Sequence, residues 1–157
     1  MLKQIQAFIL GSIVMQLSRF TDFSLRVLLY LVINNNKRAR LKAIADFYPI
    51  PLEHLRKVVH ALSKSGYLQT YRGKNGGIEL AIPPEDIKIG KVVEHFENRQ
   101  TLIDCEGLSC RLAASCALKD ALRQGQKALI DKLNSYTLAD LVDTKTEMVK
   151  LLFNDAA

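Results

Sequence analysis

The amino-acid sequence predicts a mainly α-helical fold that carries one small β-hairpin. Three observations predict it. Apolar residues recur at helical spacing in several segments, two short strand-like segments flank a glycine-rich stretch, and a longer amphipathic segment follows a cluster of cysteines. At 157 residues, 48% of them hydrophobic, the chain is long enough for one packed domain, or for one small domain plus an appended helix.

The first predicted helix begins at Thr21, which is a suitable N-cap, and ends at the Asn34-Asn35-Asn36 run. Asp22 falls in its first turn, where a carboxylate interacts favourably with the helix dipole. Its apolar face comprises Leu25, Leu28, Leu29 and Val32.

Two further helices, Lys42–Phe47 and Leu52–Ser65, are separated by the turn Tyr48-Pro49-Ile50-Pro51, which cannot continue a helix. The second has an apolar face, and Gly66 is a natural residue to follow its end. This pattern predicts a helix-turn-helix, although an ordinary αα-hairpin is the alternative. The polar face of the second helix supplies candidate DNA contacts: Glu53, His54, Arg56, Lys57 and His60.

Two predicted strands follow, Tyr67–Tyr71 and Ile78–Ile82, joined by a basic, glycine-rich tip in which Asn75-Gly76 favours a hairpin turn. A nucleotide-binding loop would need different glycine spacing and a helix after Lys74. A hairpin after a helix-turn-helix is a winged helix. The expected phosphate contacts at its tip are Arg72, Lys74 and Asn75.

Charge divides the chain into two unlike halves. Residues 1–80 carry twelve Lys and Arg against four Asp and Glu, whereas residues 81–157 carry ten against twelve. This asymmetry favours a polyanion, and in particular double-stranded DNA, as the partner of the first half. A merely solvated basic surface is the alternative.

All three cysteines lie within twelve residues, at Cys105, Cys110 and Cys116, with spacers of four and five residues. Thiolates are soft ligands that select zinc, copper(I) or iron–sulfur clusters. The odd number argues against disulfides, and the polar loop residues between the cysteines argue against a buried apolar role. Three thiolates are one short of a closed site, and the nearest histidine is ten residues upstream. Such a site would leave one iron reactive, which suits a sensor.

A long amphipathic helix is predicted from Ala117 to Ser135, and its apolar stripe favours a dimer seam over packing within its own chain. The stripe comprises Leu118, Ala121, Leu122, Ala128, Leu129 and Leu133. The segment Thr137-Leu138-Ala139-Asp140 has the pattern of a capping box. The apolar residues 1–14 are too short and interrupted to span a membrane, and no convincing cleavage site follows them. We expect them to lie outside the fold, with Met15 as the start.

From Gln16 to about Leu152 the sequence resembles the NsrR-type repressors, winged-helix regulators that sense nitric oxide and are related to IscR. The resemblance rests on residues 16–26, on Arg72-Gly-Lys-Asn-Gly-Gly-Ile78, on the four-then-five cysteine spacing and on residues 136–142. It implies a cytoplasmic homodimer that represses nitric-oxide stress genes. It also implies an iron–sulfur cluster on the three cysteines, [4Fe–4S] in preference to [2Fe–2S], with Asp22 of the partner subunit as a candidate fourth ligand.

The expected organisation is an N-terminal extension over 1–14, a winged helix-turn-helix over 15–83, and a cluster-binding loop with a dimerisation helix over 84–157. The leading functional interpretation is a cluster-dependent transcriptional repressor. A regulator of the same architecture that uses zinc or free thiols is the alternative. An enzyme is not indicated, because the sequence shows neither paired catalytic carboxylates nor a nucleophile–base motif.

Overall fold

The computed structural model describes residues 16–97, 102–103, 105, 110–112 and 115–142. Within them the chain forms five α-helices and one two-stranded antiparallel hairpin, the mainly α-helical fold that the sequence predicts. Residues 1–14 and the segment 145–153 lie outside the described residues. Two 3-10 turns occur at Pro84–Asp86 and Asp140–Val142. In chain order the regular elements are α1 Arg19–Ile33, α2 Leu41–Phe47, α3 Leu52–Lys64, β1 Leu68–Tyr71, β2 Gly77–Leu80, α4 Ile89–Phe96 and α5 Ala117–Asn134.

Helix α1 begins one turn earlier than predicted, because its N-cap is Ser18 and not Thr21. The Ser18 hydroxyl oxygen accepts a hydrogen bond from the Thr21 backbone N–H at 3.2 Å. Thr21 itself is fully buried in the first turn, and its hydroxyl oxygen lies 3.0 Å from that of Ser18. Serine and threonine are both good N-cap residues, so residue type alone does not choose between Ser18 and Thr21. The burial of Thr21 in the folded chain makes Ser18 the cap.

Helix α3 packs its apolar face, Leu55, Val58, Val59 and Leu62, against α1 and α2. It ends at Lys64, one residue before the predicted end, and Gly66 follows with a φ of 80°, a conformation that favours glycine. The Gly66 N–H donates to the Ser63 carbonyl at 3.1 Å and the Tyr67 N–H to the Leu62 carbonyl at 2.9 Å. These two bonds form a Schellman motif, which turns the chain directly from α3 into β1.

The hairpin pairs Leu68 with Leu80 and Tyr71 with Gly77. Its tip is a five-residue loop, residues 72–76, closed by a hydrogen bond of 2.9 Å from the Gly76 N–H to the Gly73 carbonyl. Gly73, with φ of 92°, takes the left-handed conformation, and Asn75 does not. The tip is therefore wider than the two-residue Asn-Gly turn that the dipeptide favours. On the outer side of β2, the backbone of Ala39 exchanges two hydrogen bonds with Ile78, of 2.9 and 2.8 Å.

One hydrophobic core runs from α1 through the hairpin to α4 and on to Leu138 and Val142. Helices α4 and α5 approach each other closely at Gly90. A Cβ atom there would lie 2.5 Å from Asn134 Oδ1 and 2.6 Å from the Ile130 carbonyl oxygen. The capping box after α5 is present, since Asp140 Oδ2 accepts from the Thr137 N–H at 2.7 Å and the Asp140 N–H donates to Thr137 Oγ1 at 3.2 Å.

Helix α5 has no buried residue along its eighteen-residue length. Leu118 is 58% exposed and Leu129 is 41% exposed, and both belong to the predicted apolar stripe. The protomer therefore leaves this stripe largely uncovered. None of the described helices has the length and apolar content needed to cross a bilayer.

Candidate nucleic-acid interface and cysteine segment

A cleft of about 830 Å³ separates the exposed face of α3 from the inner side of the hairpin. Four basic side chains line it: Arg40, Arg56, His60 and Lys74. On the hairpin side, the backbone of Gly73, Gly76 and Gly77 lines the cleft together with Thr70, Tyr71 and Ile78. A cleft that combines cations with exposed backbone suits the sugar-phosphate backbone of DNA.

The predicted contacts on α3 are all exposed, but they differ in how they are held. Arg56 forms an ion pair with Glu53 one turn before it. The His54 ring stacks on Phe23 of α1, with 6.3 Å between ring centroids and 27° between ring planes. Lys57 and His60 lie on the solvent side of the helix, and His60 also lines the cleft. Glu53 therefore orients Arg56, whereas His54 is anchored to α1.

The predicted tip residues Arg72, Lys74 and Asn75 are all exposed at the end of the hairpin. Two backbone carbonyls of the tip accept hydrogen bonds from arginines outside the hairpin. The Asn75 carbonyl accepts from Arg38 Nη1 and the Lys74 carbonyl from Arg40 Nη2, each at 3.3 Å. The position of the tip is thus set by the segment between α1 and α2.

Sequence reasoning missed Arg38 and Arg40. Arg38 Nε lies 3.3 Å from Glu79 Oε2, and the Arg38 guanidinium carbon lies 3.4 Å from the centroid of the Tyr71 ring. The Tyr71 hydroxyl donates to Glu79 Oε1 at 2.5 Å. This hydrogen bond, together with the nearby Arg38 guanidinium, lowers the pKa of Glu79. The same hydrogen bond raises the pKa of Tyr71, because it stabilises the protonated hydroxyl. At neutral pH the group is therefore an ionised Glu79 held between a guanidinium and a neutral phenol.

The only sequence signal for these two residues is the Arg-Ala-Arg run at 38–40, which adds to the basic character of the first half. Arg40 extends the cationic surface towards α3, since it lines the cleft and contacts the tip.

The three cysteines lie in different environments. Cys105 is buried, Cys110 is exposed, and Cys116 is half-buried at the N-cap of α5. The Cys110 N–H donates to the Cys105 carbonyl at 3.4 Å, and the Cys116 carbonyl accepts from the Asp120 N–H at 3.2 Å. In the described part of the chain, no three His, Cys, Asp or Glu side chains are gathered closely enough to hold a metal ion. By donor chemistry the thiols suit a soft metal or an iron–sulfur cluster.

Asp22 lies in the first turn of α1, where the sequence places it, and is partly exposed. Its Oδ1 atom pairs with Arg26 Nε at 2.8 Å. The Arg26 guanidinium also lies 5.5 Å from the centroid of the Tyr48 ring, at the end of α2. A role for Asp22 as a ligand would require this carboxylate to leave Arg26 or to share itself between two partners.

Comparison with known proteins gives one consistent result. The family model of Rrf2, described as an iron-dependent transcriptional regulator, matches residues 17–144. The chain is 43% identical over 142 residues to the HTH-type transcriptional regulator NsrR of Bacillus licheniformis, covering 88% of this chain and 99% of that protein. It is 39% identical over 142 residues to NsrR of Bacillus subtilis, covering 88% and 97%.

Among solved structures, the fold is similar to IscR of T. potens, with a TM-score of 0.69, 23% identity and coverage of 88% of this chain and 93% of that one. It is also similar to CymR of B. subtilis, described as a global cysteine regulator, with a TM-score of 0.67, 24% identity and coverage of 83% and 98%. The two NsrR relatives are named transcriptional regulators, and this chain is accordingly a regulator and not an enzyme, as the sequence predicts. The winged helix, the cysteine segment and the match over residues 17–144 agree, and the chain belongs to the Rrf2 family of transcriptional regulators.

Proposed function

We propose that this protein is a transcriptional repressor that binds operator DNA as a homodimer while its cysteines hold an iron–sulfur cluster, and that nitric oxide releases it. The observation that carries the proposal is the position of the cysteine segment between two helices. Its three thiols lie between α4, which packs on the DNA-binding core, and α5, the helix with an uncovered apolar stripe. A change in this segment can therefore act on both parts. The four-then-five cysteine spacing and the similarity to NsrR regulators support it.

In this proposal residues 15–83 bind DNA in the cytoplasm. Helix α3 enters the major groove and presents Arg56, Lys57 and His60 to base edges, with Glu53 orienting Arg56. The hairpin contacts the flanking backbone through Arg72, Lys74 and Asn75. The support is the basic cleft between the two elements, because it has the cations and the close backbone approach that phosphate binding needs.

Residues 84–157 dimerise through α5 and hold the cluster. Leu118 and Leu129 are exposed and lie on one stripe of α5, so together they offer an apolar surface that a partner helix would cover. Two-fold symmetry would place the two α3 helices about one DNA turn apart, roughly 34 Å, on a near-palindromic operator.

Cys105, Cys110 and Cys116 would hold the cluster, for which we favour [4Fe–4S]. Bound by three thiolates and at most a carboxylate, such a cluster would leave one iron open to reaction with nitric oxide. Asp22 of the partner subunit is the candidate fourth ligand, and Arg26 would then orient its carboxylate. Cys105 is the buried thiol of the three and Cys110 the exposed one.

Anaerobic titration with nitric oxide tests the proposal, with visible absorbance and operator binding followed on the same sample. The purified protein should be brown, and the absorbance and the bound fraction should fall together. Cys110→Ala should be colourless and should bind operator weakly, whereas Ser115→Ala, a matched change at an exposed serine of the same segment, should behave as the wild type. A colourless, zinc-containing wild type would favour the zinc regulator instead. Tight, nitric-oxide-responsive binding by Cys110→Ala would refute the cluster as the switch.

A further inference from the structure

The last turn of α4 is tied to both ends of the DNA-binding core. His95 Nε2 lies 2.7 Å from the hydroxyl oxygen of Ser65, the C-cap residue of α3. Glu97 Oε1 accepts a hydrogen bond of 2.7 Å from the backbone N–H of Ser18, the N-cap residue of α1. We call these two hydrogen bonds the clasp.

Phe96 lies between the two bonds and adds apolar contacts in the same directions. Its ring centroid is 5.6 Å from that of Phe20 in α1 and 6.5 Å from that of Tyr67, the residue before β1. The His95 ring meets Phe96 edge-on at 4.7 Å, which fixes the orientation of the imidazole towards Ser65. Three consecutive residues thus join α4 to the start of α1, the end of α3 and the entry of the hairpin.

The clasp joins residues that are far apart in the chain. Its bonds span 30 and 79 residues, so no local turn would form them. Ser18 is the N-cap of α1, and Ser65 lies at the Schellman turn that aims β1. A displacement of α4 by about 1 Å away from these partners would lengthen both 2.7 Å bonds beyond hydrogen-bond distance.

The clasp also lies at the boundary of the cysteine segment. Glu97 is the C-cap residue of α4, and Cys105 is eight residues further along the chain. At the other end of the segment, Cys116 caps α5, which packs on α4 at Gly90. The segment is therefore joined to α4 directly at one end and through the length of α5 at the other, and the clasp links α4 to Ser65 at the end of α3.

We propose that His95 and Glu97 are positioning residues that transmit the state of the cysteine segment to α3 and the wing. This inference rests on the function proposed above. A signal shifts an equilibrium only through interactions that differ between its two states. The clasp supplies such an interaction. Both of its hydrogen bonds are formed when the cysteine segment holds the cluster and the operator is bound, and both are broken otherwise.

The test measures the operator affinity of each variant in the cluster-loaded and the cluster-free form. The affinity of the loaded form is divided by that of the cluster-free form to give the ratio. Glu97→Ala and His95→Ala should each reduce this ratio about 2- to 10-fold, the usual effect of one lost hydrogen bond. Glu97→Gln should keep the wild-type ratio, since the glutamine side-chain oxygen still accepts from the Ser18 N–H. Glu94→Gln is the matched control on the same turn, because Glu94 pairs with Lys91 and takes no part in the clasp.

Amide hydrogen exchange gives a readout that does not depend on DNA. The Ser18 amide should exchange more slowly in loaded than in cluster-free wild-type protein, and this difference should disappear in Glu97→Ala. If Glu97→Ala does not fold, His95→Ala, Ser65→Ala and the double variant are compared instead. When the bond between these two side chains transmits the signal, their separate effects on the affinity ratio do not add up in the double variant, and additive effects contradict the clasp.

Two failures are distinguishable. A wild-type ratio of one means that the cysteine segment does not control DNA binding, which overturns the proposed function and the clasp with it. A large wild-type ratio that Glu97→Ala and His95→Ala both retain, with unchanged Ser18 exchange, overturns the clasp alone.

Discussion

Gly90→Ala is expected to destabilise the protein, although alanine is the better helix former. The change by itself would gain at most about 1 kcal/mol, and less at the second position of α4 than in a helix interior. Against this, the new Cβ would lie 2.5 Å from Asn134 Oδ1 and 2.6 Å from the Ile130 carbonyl oxygen. Ordinary contact begins at 3.4 Å, so α4 and α5 must separate by about 0.8 Å. Overpacking of this kind costs about 1–3 kcal/mol. The net expectation is a loss of up to about 2.5 kcal/mol.

Urea unfolding followed by circular dichroism measures the effect. The matched control is Gly125→Ala in α5, which adds the same methyl group where nothing in the described protomer lies within 4 Å and should raise the free energy of unfolding. Because Gly125 lies near the proposed dimer seam, both proteins are compared over a range of concentrations to separate dimerisation from stability within the protomer.

Asn134→Ala should rescue part of the loss in Gly90→Ala. It removes the side-chain clash and leaves the clash with the Ile130 carbonyl. By itself it should cost little, since Asn134 Oδ1 is buried without a hydrogen-bond partner in the described part of the chain. A Gly90→Ala protein as stable as the wild type would refute the close packing of α4 on α5.

Three further results are expected. Lys74→Ala should weaken binding to every duplex and reduce the slope of log affinity against log salt by about 0.9, the value for one lost phosphate contact; an unchanged slope would exclude Lys74 from the interface. Arg38→Ala should also weaken binding but keep the slope, because its guanidinium contacts the wing itself; a reduced slope would make Arg38 a phosphate contact. Leu122→Asp with Leu129→Asp should give monomers in sedimentation velocity, and a stable DNA-binding dimer of this double variant would place the seam elsewhere.

The sequence was most informative where the determinants are local. The apolar period of α3, the terminating Gly66 and the paired strands predict their elements to within a residue or two, because each signal lies inside the element that it specifies. The N-cap of α1 was wrong by one turn. Ser18 and Thr21 are equivalent by type, and only the burial of Thr21 in the folded chain distinguishes them.

The contacts between distant segments were not predictable from the sequence. Arg38 and Arg40 precede the tip that they hold by more than thirty residues, and no local sequence pattern around them indicates this contact. The same holds for Gly90, because the need for a glycine there comes from Asn134, which is distant in the sequence and close in the fold. The arrangement of the three thiols around a cluster stays a prediction, since most residues between them lie outside the described ranges.

The paired hydrogen bonds between Ala39 and Ile78 have a consequence for how the wing can vary. A hairpin alone can slip by one residue, and such a slip would turn the buried Ile78 and Leu80 towards solvent. With Ala39 hydrogen-bonded on its outer side, β2 is held from both edges and its register is locked. The length of the tip loop is then independent of the strands that carry it. Residues can be added or removed within 72–76 without rebuilding the core beneath, although such a change would alter the bonds that Arg38 and Arg40 make to the tip.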